Sequence, residues 1–368
     1  MKKILVGFIV DGHGGGIDRY LLNFLQKVSG DDASVDFLTN EVNRELKEEL
    51  HNYHAGLYAI KNLKHPIAQY RQVKALILAK KYDMVYLNIS TAIDCIAAKA
   101  AYDCKVPRRL IHSHSSGNDI ANPIKRGGYD TVHRICKMRL YRWGNEFYGC
   151  SKAAGYWLFP KKIVNSQQFH MIYNGVDQER FCFNPLVRKD MRERMGIAEK
   201  LVIGNISGFV YQKNHDYLLD IFSEIHKREE NAVLLLIGQG EGMESMKVKA
   251  KTLGIKKDVL FLGWRKDTAQ LLQAMDVFLL PSRFEGLPIA GIEAQASGLL
   301  CVMSDSITQE AKISEACYFL PARGAKKQWA DFVIRHKNYN REETVFLEES
   351  KRYSQDYQNR QFEEIVNG

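Results

Sequence analysis

Short buried runs with strand character recur along this chain, and each is followed by a loop and then by a segment with helical spacing. Examples from the first half are KKILVGFIV before IDRYLLNFLQKVSG, and DMVYLNIS before TAIDCIAAKAAYDCKV. Nearly continuous apolar runs of this length are typical of parallel strands, which helices cover on both faces. The alternation therefore predicts an α/β fold built on doubly wound parallel sheets.

The same pattern starts again after about residue 172, with LVIGNISGF, AVLLLIGQG, VLFLGW, DVFLLPS and LCVMSD as strand candidates. A chain of 368 residues is also too long for one ordinary core. We predict a Rossmann-like domain over residues 1–172, a second over 173–350, and a helix over about 351–368 that packs back on the first domain. Because doubly wound domains bind ligands at the carboxyl ends of their strands, we expect a ligand cleft between the two domains.

The cysteines and the apolar segments restrict the cellular setting. Seven cysteines are scattered along the chain without a C-x-x-C pair, which favours a reducing cytoplasm and disfavours a disulfide scaffold or a zinc site. No apolar stretch reaches the roughly 18 residues that span a bilayer. The start MKKILVGFIV resembles a signal peptide, but no cleavage site follows, so we interpret it as the first buried strand.

The net charge of +9 is concentrated in the first predicted domain. Residues 1–170 hold 25 Lys and Arg against 15 Asp and Glu, whereas the remainder holds 27 against 28. Much of the excess lies in CKVPRRLIHSHSSG and IKRGGYDTVHRICKMRLYRWG, between apolar and aromatic residues. A solvated basic helix face is one interpretation, and attraction to anionic lipid headgroups is the one we favour. No recognition motif supports a nucleic-acid partner.

Two glutamates occur in PSRFEGLPIAGIEAQASG, which follows the predicted strand DVFLLPS. Glu285 lies in the strand-to-helix loop, and Glu293 lies inside a helix that Pro288 begins and Gly298 ends. Between them are the backbone amides at the positive end of the helix. This order suits a ligand with an anion in the middle and polar groups at both ends, such as a nucleotide diphosphate sugar. It does not suit two carboxylates that face each other across one bond.

Polar residues also follow other predicted strands. The glycine loop of VDGHGGGIDRY, residues 14–16, precedes a helix and fits either an anion contact or a plain tight turn. Lys213 in SGFVYQKNH could neutralise a phosphate, with Asn214 as the predicted N-cap of the next helix. His112 and His114 in LIHSHSSG lack further metal ligands, so they fit a sugar hydroxyl contact or a structural role.

Together these motifs resemble the retaining glycosyltransferases of family 4, which have the GT-B fold. PSRFEGLPIAGIEAQASG is similar to the E-x7-E signature of that family, and IYNGVD, QKNH, LLLIGQGEG, VLFLGW and the early glycine loop occur in the family's order. LIHSHSS and QKNH resemble the bacterial capsule and exopolysaccharide enzymes of the family. The resemblance covers nearly the whole chain.

The resemblance implies a nucleotide-sugar donor held mainly by the second domain, with no metal and no other cofactor. It implies that Glu285 contacts the donor sugar, that Glu293 contacts the ribose, and that Lys213 stabilises the pyrophosphate leaving group. The other implied contacts are the distal phosphate for Gly15 and Gly16, the phosphates and sugar for Gly286 and Leu287, the nucleobase for Gly263, Trp264 and Arg265, and the reaction centre for His114.

One departure from the family pattern concerns the phosphate clamp. The usual Gly-Arg-Leu/Phe appears here as Ser207-Gly208-Phe209, so the expected arginine is missing, although Ser207 stays among the predicted donor-binding residues. We hypothesise that Arg283 or Arg265 replaces it. A lesser departure is Asp18, where relatives often have glutamate.

The sequence therefore predicts a retaining, metal-independent hexosyltransferase. It would transfer sugar from a UDP-linked donor to a saccharide or lipid-linked saccharide acceptor for a bacterial surface polysaccharide. We expect a cytoplasmic location, peripheral on the inner face of the cell membrane. A non-catalytic GT-B subunit that binds a partner is the alternative, favoured by Gly208. A sugar-nucleotide epimerase is disfavoured by SGFVYQKNH and the glutamate pair.

Overall fold

In the computed structural model, the buried apolar runs form the strands of two parallel sheets. The structure describes residues 1–10, 15–30 and 33–368. The chain divides into unit 1, Met1–Asn174 with Asp356–Gly368, and unit 2, Gly175–Gln355. The predicted boundary between residues 172 and 173 lies slightly before this division, and the predicted returning helix starts slightly before Asp356.

Unit 1 contains a seven-stranded parallel sheet in the order β3-β2-β1-β4-β5-β6-β7. The interior strands are apolar on both faces because helices cover both sides. The strands are β1 (Lys2–Gly7), β2 (Ala33–Thr39), β3 (Gly56–Ala59), β4 (Met84–Ile89), β5 (Arg108–Ser113), β6 (Glu146–Gly149) and β7 (Phe169–Met171). The helices are α1 (Gly16–Val28), α2 (Arg44–His51), α3 (Pro66–Lys80), α4 (Ile96–Asp103), α5 (Pro123–Trp143), α6 (Lys152–Leu158) and α7 (Lys161–Val164).

Unit 2 contains a six-stranded parallel sheet in the order β10-β9-β8-β11-β12-β13. Its strands are β8 (Leu201–Ile206), β9 (Ala232–Ile237), β10 (Val259–Gly263), β11 (Val277–Leu280), β12 (Leu300–Ser304) and β13 (Cys317–Leu320). Its helices are α8 (Gln178–Phe181), α9 (Pro185–Arg194), α10 (His215–His226), α11 (Met243–Thr252), α12 (Thr268–Ala274), α13 (Ile289–Ala296) and α14 (Lys326–Arg335).

The last helix, α15 (Gln355–Asn367), belongs almost entirely to unit 1. Its Phe362 is fully buried and makes edge contacts with the rings of Tyr20 and Phe24 on α1. Ile365 and Val366 join the same core on one face of the sheet. The apolar stripe of this polar helix therefore packs on the core of unit 1.

In each sheet the strand order reverses at one point, and this point determines which loops lie next to each other. In unit 1 the order reverses between β1 and β4, and in unit 2 between β8 and β11. In open parallel sheets, ligands bind at the carboxyl ends of the strands beside such a switch point. The loop after β8 contains Lys213, the loop after β11 contains Glu285, and in unit 1 the loop after β5 contains His114.

Among the described residues, no helix is both long enough and apolar enough to cross a membrane.

Candidate active site

The two glutamates of unit 2 are both buried beside the start of α13. Glu285 lies in the loop after β11 and is 3% exposed, and Glu293 lies within α13 and is 4% exposed. Pro288 is the N-cap of the helix rather than its predicted first residue, and its side chain makes no capping hydrogen bond. Gly298 adopts φ +71° directly after the helix, which is the C-terminal signal that the sequence predicted. The backbone amides of the first turn of α13 therefore lie between the two carboxylates along the chain.

The Glu285 carboxylate accepts hydrogen bonds at both oxygens. Lys213 Nζ and Ser282 Oγ each donate to Oε1 at 2.7 Å, and Gln212 Nε2 donates to Oε2 at 2.7 Å. The lysine contact is a salt bridge to a side chain that is 4% exposed. Lys213 neutralises a buried carboxylate, so removing the lysine would leave an uncompensated buried charge. Lys213 and Glu285, which were predicted separately, are thus salt-bridge partners.

The turn that contains Lys213 is tied to the end of β11. Asn214 adopts φ +58°, and its side-chain Nδ2 donates to the Pro281 carbonyl at 3.0 Å. Asn214 does occupy the N-cap position of α10, as predicted, but its side chain makes no capping hydrogen bond to the helix. The amide reaches across to the next loop instead, and it fixes the position of Lys213 relative to Glu285.

Arg283 and Arg265, the two proposed replacements for the missing arginine, have different surroundings. Arg283 Nε donates to the Tyr211 carbonyl at 3.1 Å, and its guanidinium lies 4.5 Å from the centre of the Tyr211 ring. Arg265 instead forms a two-bond pair with Asp267, at 2.7 and 2.5 Å. Tyr211 begins the turn that ends at Lys213, so Arg283 lies beside that turn.

A buried chain of polar side chains begins at the end of β8. Asn205 Nδ2 donates to the Leu279 carbonyl at 2.7 Å, and Ser207 Oγ donates to Asn205 Oδ1 at 2.6 Å. Ser207 has one hydroxyl proton, which it donates to Asn205. In the 3.2 Å contact between Ser207 Oγ and His215 Nε2, the histidine is therefore the donor. Burial, with a contribution from the charge of Lys213, lowers the pKa of His215 from 6.5 to about 3. His215 is thus a neutral donor.

Gly208 occupies the position of the missing arginine, and the packing there is open. A Cβ on Gly208 would meet only the Gln239 carbonyl, at 3.4 Å. Gly238, in contrast, has φ +141°, and a Cβ there would lie 2.1 Å from the Ser207 carbonyl. The GQG turn therefore requires glycine at 238, whereas the fold does not impose glycine at 208.

The residues predicted to border the nucleobase follow β10. Gly263 adopts φ +67° at a shift in the strand register between β10 and β9. Trp264 is 45% exposed, with Lys266 Nζ 5.7 Å from its ring. An exposed indole beside a strand end can stack on a planar ring, which is consistent with the predicted role and does not test it.

Unit 1 contains a cluster of rings at the ends of β4 and β5. Tyr86 Oη contacts Tyr20 Oη at 2.6 Å and His112 Nδ1 at 2.8 Å. The His114 ring lies 4.0 Å from the His112 ring, centre to centre, and its Nε2 is 2.8 Å from Asn88 Oδ1. We call these five residues the ring cluster. His112 is fully buried, and in the described part of the chain its Nε2 has no hydrogen-bond partner.

The ring cluster carries no charge near neutral pH. Burial lowers the pKa of His114 from 6.5 to about 3, and burial together with His114 holds the pKa of His112 well below its ordinary value. Burial also raises the pKa of Tyr20 and Tyr86 above 10. Because Asn88 Oδ1 can only accept, Nε2 of His114 carries the proton and Nδ1 is a hydrogen-bond acceptor.

The glycine loop of unit 1 is partly outside the described residues, since Gly14 falls in the undescribed segment 11–14. Gly15 precedes α1 with no side-chain cap, and α1 begins at Gly16. Asp18, in the first turn of α1, is buried and accepts from the Val10 backbone N–H at 3.2 Å. Asp18 therefore helps to hold the end of β1 against the start of α1.

Two family models match this chain, one mainly over unit 1 and the other within unit 2. The model described as Glycosyltransferase Family 4 matches residues 14–180, and that described as Glycosyl transferases group 1 matches residues 200–336. The chain is a family 4 glycosyltransferase. The resemblance identified from the E-x7-E motif is thereby confirmed.

This glycosyltransferase is similar to curated proteins over most of its length. It is 28% identical to the putative glycosyltransferase EpsF of Bacillus subtilis over 351 residues, which cover 91% of this chain and 88% of EpsF. It is also 28% identical to the UDP-Gal:alpha-D-GlcNAc-diphosphoundecaprenol alpha-1,3-galactosyltransferase of Escherichia coli. That match covers 78% of this chain and 72% of the relative.

Solved structures show the fold of the glycosyltransferase. Anabaena HepE in complex with UDP and glucose has a TM-score of 0.78 at 19% identity, with both chains covered completely. Sucrose-phosphate synthase from Thermosynechococcus elongatus has a TM-score of 0.77 at 15% identity, over 100% of this chain and 98% of that one. The fold is GT-B, and the predicted fold class is confirmed.

In the structure of the glycosyltransferase, some predicted site residues lie together, and they contact further residues that were not predicted. In unit 2, Lys213, Glu285 and Arg283 lie on two joined loops, whereas Arg265 pairs with Asp267 on its own loop. Sequence reasoning did not single out the residues that position the predicted ones: Gln212, Ser282, Asn205, His215, Asn88, Tyr20 and Tyr86. A polar residue at the end of an apolar strand was the available signal, as with Asn88 in DMVYLNIS and Asn205 in LVIGNIS.

The described residues contain no group of three or more His, Cys, Asp or Glu arranged to hold a metal ion.

Proposed function

We propose that this glycosyltransferase transfers a hexose from a UDP-sugar to a saccharide or lipid-linked saccharide acceptor, with retention of configuration and without a metal. The acceptor would belong to a bacterial surface polysaccharide. The observation that carries the proposal is the Lys213–Glu285 pair at the switch point of unit 2, followed by α13 with Glu293.

The donor diphosphate suits the first turn of α13 and Lys213. A helix start without a side-chain cap attracts an anion through its backbone amides. Lys213 adds a positive charge that would stabilise the departing diphosphate, so a metal is not needed for that purpose. The choice of UDP is supported by the UDP named for Anabaena HepE and the UDP-Gal named for the Escherichia coli relative.

The salt bridge to Glu285 gives this lysine a second state. In the structure Lys213 donates to Glu285, and a bound diphosphate would compete for the same ammonium group. Glu285 would then be left with Gln212 and Ser282 and could accept from a sugar hydroxyl. Glu293, one turn further into α13, is the proposed ribose partner.

The ring cluster suits hydroxyl groups rather than phosphates. His114 offers Nδ1 as a neutral acceptor, because Asn88 holds the proton-bearing Nε2. A neutral acceptor can orient a sugar hydroxyl without attracting the diphosphate. We propose that His114 contacts the reaction centre, as the family resemblance implies. In the retaining mechanism that we propose, the acceptor attacks from the face of the leaving group, with a phosphate oxygen as base.

A lipid-linked acceptor places the enzyme at a membrane. The Escherichia coli relative is named for a diphosphoundecaprenol-linked acceptor. The basic excess of residues 1–170 would favour an anionic surface. We therefore propose peripheral attachment to the inner face of the cell membrane.

The test is turnover with purified protein in EDTA. UDP-, GDP- and ADP-sugars are incubated with a lipid-linked saccharide acceptor, and the product anomer is assigned by NMR. We expect transfer from a UDP-sugar with retained configuration, slow donor hydrolysis without acceptor, and neither with Lys213→Ala. Inverted product, or activity restored only by a divalent metal, would contradict the proposal.

A non-catalytic GT-B subunit is the second candidate, because Gly208 lacks the clamp arginine although the packing leaves room for a side chain there. This candidate predicts that the protein binds UDP and hydrolyses no donor. It would gain support if Gly208→Arg created activity where the natural sequence has none.

A further inference from the structure

The helix α5 has an exposed apolar face that no other element covers in the described structure. Ile124, Val132, Ile135 and Met138 are 86, 46, 57 and 60% exposed. With 3.6 residues per turn, these four side chains fall within an arc of roughly 120°. The opposite side of the helix packs inward through His133 and Leu140. An exposed apolar stripe on a helix that is anchored on its other side indicates an interaction surface.

Basic side chains lie beside and within this stripe. Lys125, Arg134, Arg139 and Arg142 are all exposed. The only acidic residue of α5 is Asp130, which lies toward the buried side and accepts a hydrogen bond from Asn118 Nδ2 at 3.0 Å. The exposed side of α5 therefore carries positive charge that no carboxylate of the same helix neutralises. We call the four apolar and four basic residues named here the α5 face.

An anionic lipid surface fits both properties of the α5 face. Interfacial helices bury an apolar stripe at the boundary between headgroups and acyl chains, while Lys and Arg on either side reach lipid phosphates. A helix of 21 residues provides about 30 Å of contact along the membrane plane. A protein partner would need acidic groups around an apolar groove, whereas an anionic bilayer supplies negative charge and an apolar interior along its whole area.

We propose that the α5 face is the membrane-docking surface of this enzyme, with α5 lying in the headgroup region of an anionic bilayer. The proposal makes the peripheral attachment specific to one helix. It is independent of donor chemistry, because vesicle binding is measured without donor or acceptor. A failed vesicle experiment would thus leave the proposed reaction standing.

The experiment is co-sedimentation with vesicles of equimolar phosphatidylglycerol and phosphatidylcholine, and with phosphatidylcholine alone. The full-length protein should bind the anionic vesicles, and added salt should weaken the binding. The double variant Ile135→Glu with Met138→Glu should lose at least about tenfold in partition coefficient. Arg134→Gln and Arg139→Gln should each lose about fivefold, since a basic residue near such a surface contributes about 1 kcal/mol.

The matched control is the double variant Leu186→Glu with Val248→Glu in unit 2. Both side chains are exposed, and Val248 on α11 is flanked by lysines, but neither belongs to a stripe like that of α5. This control should bind vesicles like the natural protein, and both doubles should keep the natural thermal midpoint and rate of UDP-sugar hydrolysis.

Three results would overturn the proposal. Equal binding by the α5 double variant and the control would remove the role of the α5 face. Equal binding to neutral and anionic vesicles would remove the role of its charges. Unchanged vesicle binding together with a shift from dimer to monomer in the α5 double variant would assign the face to a second copy of the chain.

Discussion

The polar clusters of the two units lie at equivalent edges of similar sheets, yet one is charged and the other is neutral. In unit 2, Lys213 and Glu285 form a buried salt bridge beside the start of α13. In unit 1, the ring cluster holds His112 and His114 as neutral imidazoles, because burial lowers the pKa of each. Similar strand orders therefore support different chemistry, which depends on the side chains placed at the strand ends and in the loops that follow.

This difference in charge suits the two clusters to different chemical groups, a diphosphate in one case and sugar hydroxyls in the other. A charged cluster at a helix start suits a diphosphate, whose charge would be costly to bury without a cation. A neutral cluster with one aligned acceptor suits sugar hydroxyls, which need orientation rather than neutralisation.

The glutamates of unit 2 should separate turnover from donor binding. Glu285→Gln should lower kcat by about a hundredfold with little change in donor KM, because Lys213 loses its charged partner and the sugar hydroxyl loses a charged acceptor. Glu293→Gln should raise donor KM by at least about tenfold, since hydrogen bonds to a charged group contribute about 1.5–3 kcal/mol. Steady-state kinetics with a soluble acceptor measures both. The same changes in kcat and donor KM in both variants would contradict separate roles for Glu285 and Glu293.

Arg283 should account for part of the missing arginine. Arg283→Ala should lower kcat/KM by about tenfold, because one charge-assisted contact to the diphosphate is lost. Arg265→Ala should change it little, since Arg265 is paired with Asp267. Gly208→Arg should restore activity to Arg283→Ala, because the space at Gly208 is open. Unchanged kinetics in Arg283→Ala would remove this residue from the account.

Asn88→Asp should give the neutral cluster a charge. The new carboxylate beside Nε2 would raise the pKa of His114 from about 3 toward neutrality. As pH falls through that higher pKa, protonation would remove the Nδ1 acceptor, so the acid limb of kcat/KM should move to higher pH. Asn88→Ala should lower activity at every pH without moving the limb. An acid limb that does not move in Asn88→Asp would contradict the assigned role.

His215 should make unit 2 less stable in acid. Its pKa is about 3 in the folded chain and ordinarily 6.5, so below about pH 6.5 the unfolded chain binds a proton that the folded chain excludes. Stability is therefore lost as pH falls from about 6.5 toward 3, by up to about 1.4 kcal/mol per unit. His215→Gln should make the slope of unfolding free energy against pH shallower by that amount. Urea unfolding at several pH values measures it, and an unchanged slope would be the contrary result.

The sequence predicted the fold through two independent signals. The apolar runs gave the strands, and E-x7-E with its companion motifs gave the family. Gly298 was predicted to end α13 because helices often end in a left-handed backbone conformation, which glycine adopts without strain. Such signals depend only on residues that are close in sequence, so the sequence alone is enough to identify them.

The contacts that position the site could not be predicted in the same way. Gln212 and Ser282 contact one carboxylate from two loops separated by 70 residues. Asn214 was predicted to cap α10, but its amide reaches the Pro281 carbonyl across the same two loops. Such partners depend on which strand ends become neighbours, and β8 meets β11 only after the sheet has formed.

Calorimetry of UDP binding in EDTA, with the natural protein, Lys213→Ala and His114→Ala, measures the difference between the two clusters. We expect UDP to bind without a metal and Lys213→Ala to weaken this binding at least tenfold, since a charge-assisted contact contributes about 1.5–3 kcal/mol. His114→Ala should leave the affinity for UDP within about twofold of the natural value. Equal affinity in Lys213→Ala, or a loss of UDP binding in His114→Ala, would contradict the division between a charged and a neutral cluster.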